Sequence, residues 1–436
     1  MSSSPFSPDA ARSLPGPPWL AERRAAAAER FAVTTLPTTA EEVWRYSRID
    51  ELDLDRYRPF SPNGAVAGVD VPAPLGVAQA DFRCAARVVV VDGVVVHAEL
   101  SPDAQAQGAY AGRLLEHPEA ESLLSASETV DVFGDLNDAF AVDPVLVSLP
   151  AGVALDLPVV VEQWIRRADV AVFPRLLVRV GEGASLTLLD EHRSDDGVPA
   201  LVVPHVDLVV ERDARLGYCN VQLHGTATWQ IGTQIASVDA GASLVASTAA
   251  LGGDYARVRT DCRLVGAGAS GDLVSLYFGN GDQMLDFRTF QEHVAPHTTS
   301  NLLFKGVVDD RSRSVYTGLI RVQKGARGTN AFQTNRNLKL SDDAWAESVP
   351  NLEIENNDVR CSHASTVGPI DDDQRFYLES RGVPPPAAER LVVEGFFAEV
   401  LERIPVPAAL PQLHAAIAAK LDAHVEAVVA TEGGVR

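Results

Sequence analysis

The hydrophobic pattern changes character twice along the chain. Near the start, WLAERRAAAAERFA and TAEEVWRYSRI are both rich in helix formers; Pro37 separates them, and Thr38 and Thr39 precede Glu41 and Glu42 as a capping signal. They predict a small helical region over residues 1 to about 50, and the Pro- and Gly-rich run DLDRYRPFSPNGAVAGVDVPAPLG predicts an irregular connection to residue 82. From Cys84 to Cys361 the pattern becomes short β-branched runs, such as ARVVVVDGVVVHAEL, LPVVVEQWI and PHVDLVVERDARLGYCNVQ, separated by Gly, Asp and Asn. A turn unit recurs within it as GEGASL at Gly181, ERDARL at Glu211, DAGASL at Asp239, GAGASGDL at Gly266 and QKGARGTN at Gln323, the first four at spacings of 27 to 30 residues. That spacing predicts a stacked β-coil, in which each coil buries small and branched residues and the two ends need covers. The flanking helices are the candidates for those covers.

After His363 helical patterns return. DDDQRFYLESRG closes at Gly382, PPPAAERLVVEGFFAEVLERI opens on prolines suited to a first turn, and LPQLHAAIAAKLDAHVEAVV follows. The chain therefore divides into an N-terminal helical region with its linker (1–82), a β-coil core (83–362) and a C-terminal helical region (363–436). In the middle C-terminal helix Leu391, Val392, Val393, Phe396, Phe397, Val400, Leu401 and Ile404 cover more than one face. Burial against the other helices and contact with a partner both account for them.

Composition narrows the class. The 436 residues, 46% of them hydrophobic, suffice for a large core, and 59 acidic against 37 basic residues leave a net charge of -22 that repels nucleic acid and anionic membranes. No apolar run approaches the roughly 20 residues that span a bilayer, and MSSSPFSPDAARSLPGPPW lacks a signal pattern, so the expected location is the cytoplasm. Cys84, Cys219, Cys262 and Cys361 are far apart, which argues against a disulfide framework and against a closed zinc site.

The chemistry concentrates in PNLEIENNDVRCSHASTVGPIDDDQRFYLESR. Cys361 and His363, two apart, point the same way from an extended strand, and thiolate and imidazole suit iron, zinc and copper. A buried cysteine and a hydrogen-bonded histidine at a strand end fit the same spacing. Other signals are weaker. GEGAS and GAGASGD lack the lysine of a phosphate loop and read as turns. Asp371, Asp372 and Asp373 precede a helix, where acids favour the positive dipole end. His293 and His297 have helical metal spacing, but Pro296 between them breaks a helix. The amide-rich GTNAFQTNRNLKLSDDAWAES suits a surface ladder or turns. No nucleophile elbow is present, and no enzymatic activity is expected.

WRYSRID near Trp44, the block from Leu302 through CSHAST to Gly382, and EGFFAEVLERI resemble the SufB/SufD family of iron-sulfur cluster assembly proteins, over most of the chain and most strongly from Leu302 to Ile404. The resemblance implies a mainly β fold, a right-handed parallel β-helix between two helical regions, and a scaffold complex in which SufB and SufD each hold a SufC ATPase. The chain looks closest to SufD, because the SufB scaffold cysteine, nine residues before the motif histidine, would fall on Ile354. The SufD-type ligand to the nascent cluster carries over to His363 and the neighbouring cysteine to Cys361, with Ala364 and Ser365 where many relatives have Gly and Ala. The cargo implied is a transient cluster or iron shared with SufB; a flavin in the intact complex is left open. The implied partner surface for the SufC-like ATPase is Leu391, Val392, Phe396, Phe397, Val400 and Leu401. Exposed end strands also leave a homodimer open when the partner is missing. Two alternatives stand beside this reading: a β-helical carbohydrate-active enzyme, and a SufB-like scaffold that the absence of a Cys at 354 disfavours.

Overall fold

The recurring turn units form the corners of a coil. In the computed structural model, which describes residues 4–62 and 82–433, the third residue of each of the first four units lies in the left-handed region: Gly183 (φ 65°), Asp213 (φ 56°), Gly241 (φ 67°) and Gly268 (φ 74°). A further corner, unmarked by glycine, falls at His297 (φ 61°), and in QKGARGTN the left-handed residue is Gly328 (φ 70°). Corners stack so closely that a Cβ on Gly266 would lie 1.8 Å from the Ala240 nitrogen.

Between corners run two parallel sheets. One climbs through Arg175–Val180, His205–Val210, Thr228–Val238, Tyr255–Leu264, Met284–His293 and Arg313–Val322 to Trp345–Ile354; the other climbs through Ser185–Ser194, Arg215–Leu223, Ser243–Ala250, Ser270–Gly279, Thr299–Val308 and Thr329–Lys339 to Val359–Pro369. Equivalent residues sit in columns, so Leu188, Tyr218, Ala246, Leu273, Leu302, Gln333 and His363 occupy successive rungs on the interior-facing side of the second sheet. The interior is apolar over most of its length, filled by Val178, Leu186, Leu188, Leu208, Leu216, Leu244, Leu264 and Phe287 among others. An antiparallel hairpin, Ala86–Val91 with Val94–Leu100, and the short helix Pro102–Ala106 lie at the start of the coil.

The helical segments cover the outer faces of the sheets instead of the end of the coil. Helix Pro18–Val33 forms as predicted and packs on Val132–Phe140 over the first sheet. The second predicted N-terminal helix is replaced by 3₁₀ turns at Glu42–Trp44, Ile49–Glu51 and Leu54–Arg56. The sheet dictates this. Arg257 lies 3.7 Å from the Trp44 ring and donates to the Val43 carbonyl at 3.1 Å, and Arg288 donates to the Arg45 carbonyl at 2.7 Å, taking acceptors that a helix would have used. Asp286, fully buried between the two arginines at 3.1 and 2.6 Å, pays a burial penalty that their charges outweigh, holding its carboxyl below the ordinary range.

At the other end, Pro385–Leu401 and Leu410–Gly433 lie on the outer face of the second sheet, where Val393, Phe397, Val400, Leu413 and Ile417 bury against Leu276, Phe278 and Val307. Each fully buried side chain of this size contributes roughly 1.5–3 kcal/mol. The last coil is left without a cover: Trp345–Ile354 and Val359–Pro369 each pair on one edge alone among the described residues, and their side chains are half-buried or exposed throughout. The final strand also carries on to Pro369, seven residues past 362, so the coil absorbs the whole CSHAST segment. No described helix is long and apolar enough to cross a membrane.

Candidate functional site

The open end of the coil displays the Cys/His pair. Val359–Pro369 pairs in parallel register with Thr329–Lys339, setting Cys361 over Ala331, His363 over Gln333 and Ser365 over Asn335. Strand alternation sends these three side chains to the same side as Ala331, Gln333 and Asn335, which are buried. Among the described residues no further strand stacks above them, and His363 is exposed.

The two candidate ligands differ in chemistry. Cys361 is half-buried and packs with Leu352 and Val359 onto Ile320, Val322, Ala326 and Ala331; burial pushes its thiol pKa up, against thiolate formation. His363 has an open approach. Ile354, on the facing strand, is 44% exposed at the same rim and offers no donor. Among the described residues no three His, Cys, Asp or Glu side chains converge as a metal site.

The floor below the rim is polar and rigid. Asn335 Nδ2 donates to the Tyr277 hydroxyl at 2.9 Å, that hydroxyl donates to Asn337 Oδ1 at 2.7 Å, and Asn337 Nδ2 donates to Asn335 Oδ1 at 2.8 Å. The amide-rich stretch is thus an interior ladder and not a surface one; its signal was the amide at every second position, Gln333, Asn335 and Asn337, in the period of a strand. Deeper histidines are sealed in. His293 bonds Thr298 and Ser300 at 2.8 and 2.9 Å and burial lowers its pKa to about 4, while burial lowers that of His224 to about 3. His297 sits at a corner, so 293 and 297 make no metal pair.

A second feature lies beyond the coil. Asp371 caps helix Asp372–Ser380, accepting from the Asp373 and Gln374 amides at 2.9 and 3.0 Å, as its place before the helix predicts. Between this helix and Pro385–Leu401 runs a groove lined by Asp371, Asp373, Gln374, Tyr377, Leu378, Leu391 and Val392, of which Tyr377 (58%) and Leu391 (49%) are exposed hydrophobics. Of the six residues predicted for partner contact, Leu391 and Val392 face this groove. Phe396 is half-buried, its ring 4.9 Å from Lys305 Nζ and its carbonyl accepting from that nitrogen at 2.8 Å. Phe397, Val400 and Leu401 are buried in the joint with the sheet, which corrects their assignment: a helix apolar on several faces spends one on its own coil. A charged chain links groove to coil, Arg375 to Glu389 (3.4 Å), Glu389 to His424 (3.4 Å) and His424 to Asp309 (2.7 Å).

Comparison with known proteins bears on this geometry. Residues 163–396 match the family described as SUF system FeS cluster assembly, SufBD core domain. An iron-sulfur cluster assembly SufBD family protein of Mycobacterium tuberculosis is 37% identical over 258 residues, covering 57% of this chain and 64% of that protein. The iron-sulfur cluster assembly protein SufD of Escherichia coli is 27% identical over 379 residues, 85% of this chain and 86% of the relative, and that of Bacillus subtilis is 37% identical over 158 residues, 36% of each. The chain thus spans 64% of the length of the mycobacterial relative.

Proposed function

Because the chain belongs to the SufBD core family of the SUF iron-sulfur cluster assembly system, we propose that it is the SufD-type half of a paired scaffold on which a cluster is built. The observation that carries this reading is the exposed imidazole of His363 on an edge strand at the uncovered end of the coil. Two strand edges side by side, unpaired among the described residues, invite pairing with another chain, and a SufB-like paralogue with the same end geometry is the fitting occupant. Closing two such ends brings His363 against the partner's rim, where partner thiolates supply what Ile354 here does not. A neutral imidazole then offers one nitrogen lone pair to ferrous iron, and the partial ligand set becomes complete only in the pair. The iron and cluster are cargo, formed and handed on.

The groove at Tyr377, Leu378, Leu391 and Val392 is the surface proposed for a SufC-like ATPase. Its exposed aromatic and aliphatic side chains suit a protein partner. Movement of the groove helices would reach the coil through Glu389, His424 and Asp309 and through Lys305 under Phe396.

The test is a co-expression of this chain with its SufB-like and SufC-like partners. His363→Ala is expected to co-purify normally and to lose the visible absorbance of a reconstituted cluster. Full cluster formation by that variant sinks the ligand role, and failure of the wild-type chain to co-purify with such partners sinks the paired scaffold.

A further inference from the structure

The column that ends in His363 changes chemistry one rung early. Leu188, Tyr218, Ala246, Leu273 and Leu302 are followed by Gln333, an amide 1% exposed, and then by the histidine. Room for that amide comes from across the interior. Gly318 faces it, and a Cβ there would lie 2.3 Å from Gln333 Nε2 and 2.1 Å from the Tyr316 hydroxyl. Although it lies beside Tyr316, neither the oxygen nor the nitrogen of the Gln333 amide has a well-directed hydrogen-bond partner among the described residues. Asn335 and Asn337, the next amides along the strand, are bonded to Tyr277 and to each other. The Gln333 nitrogen faces the Tyr316 hydroxyl, and its oxygen is left without a partner among the described residues, a costly arrangement relieved when a neighbouring donor turns to meet it.

We propose that Gln333 is a positioning residue for His363: its Oε1 accepts from one ring nitrogen and leaves the other, unprotonated, facing outward. Metal-binding imidazoles are held in this way by an acceptor on the second nitrogen, which fixes both the tautomer and the ring plane. In-register strands place the two side chains on adjacent rungs about 4.8 Å apart, within reach of each other without backbone movement. The role rests on the scaffold reading of His363, but the hydrogen bond itself does not.

The experiment reads the ring directly. Nitrogen-15 spectra of the full chain with labelled histidine, at about pH 8.5 where ordinary imidazoles are neutral, give the tautomer ratio of His363, identified by its loss in His363→Ala. Exposed His414 is the internal reference. The wild-type ring is expected to favour one tautomer by about fivefold more than His414 does, the bias an ordinary hydrogen bond sets, and Gln333→Met is expected to remove the excess. A wild-type ratio equal to that of His414 overturns the proposal without any variant, as does a bias that survives in folded Gln333→Met. A biased ring in a chain that never supports cluster formation overturns the scaffold reading and leaves Gln333 in place.

Discussion

His424, on the last helix, holds its Nδ1 2.7 Å from a carboxylate oxygen of Asp309, at a corner of the coil, while its Nε2 faces Glu389 on the neighbouring helix at 3.4 Å. One imidazole therefore joins three elements. Hydrogen bonds to Asp309 and Glu389 raise its pKa to about 10 from an ordinary 6.5. A raised histidine contributes stability that is fully present below pH 6.5 and is lost as the pH climbs through 10. Lys420, one turn earlier, works the other way: burial lowers its pKa to about 8 from 10.5, so its penalty shrinks over the upper part of that range. Thermal unfolding of the wild type and His424→Gln from pH 6 to 10 separates them. The difference in Tm between the two proteins is expected to be largest at the acid end and to narrow with rising pH; a difference independent of pH refutes the charged bridge.

Leu391→Asp places a charge in the open groove and touches nothing in the coil. Retention of the proposed SufC-like ATPase on a co-purification column is expected to fall at least tenfold, with folding stability changed by no more than about 0.5 kcal/mol. Phe397→Ala is expected to do the reverse in kind, lowering stability by about 3–5 kcal/mol, because this fully buried ring fills the joint between helix and sheet. Chemical denaturation of both variants checks the contrast.

Trp44→Ala removes the ring that Arg257 covers and opens a cavity beneath the N-terminal turns. The expected loss is about 3–5 kcal/mol, with faster proteolysis within residues 40–60 and an intact coil. Unchanged cleavage there would show that the arginines hold the segment through its carbonyls alone.

Cys361→Ser changes a half-buried thiol whose raised pKa disfavours a ligand thiolate. Cluster yield in the three-protein preparation is expected to fall by less than about threefold, against the complete loss expected for His363→Ala.

Much of this protein is decided by short-range sequence order. Turn units 27 to 30 residues apart, with Gly or Asp where the chain must turn left-handed, force corners at fixed intervals, and β-branched runs between them can only be strands. Hence the coil, and hence Cys361 and His363 on one face of its final strand. What residue order leaves open is how separate segments share surfaces. Whether TAEEVWRYSRI is helical depends on Arg257 and Arg288, more than two hundred residues away, reaching its carbonyls. Which of Leu391, Phe396, Phe397 and Val400 meets solvent depends on which stripe the sheet claims first. Whether the amides of residues 333–337 face out or in depends on a register that parallel pairing sets from the coil below. In each case the local pattern allows two nearly equal outcomes, and the free energy of burial against a distant partner in the fold selects one.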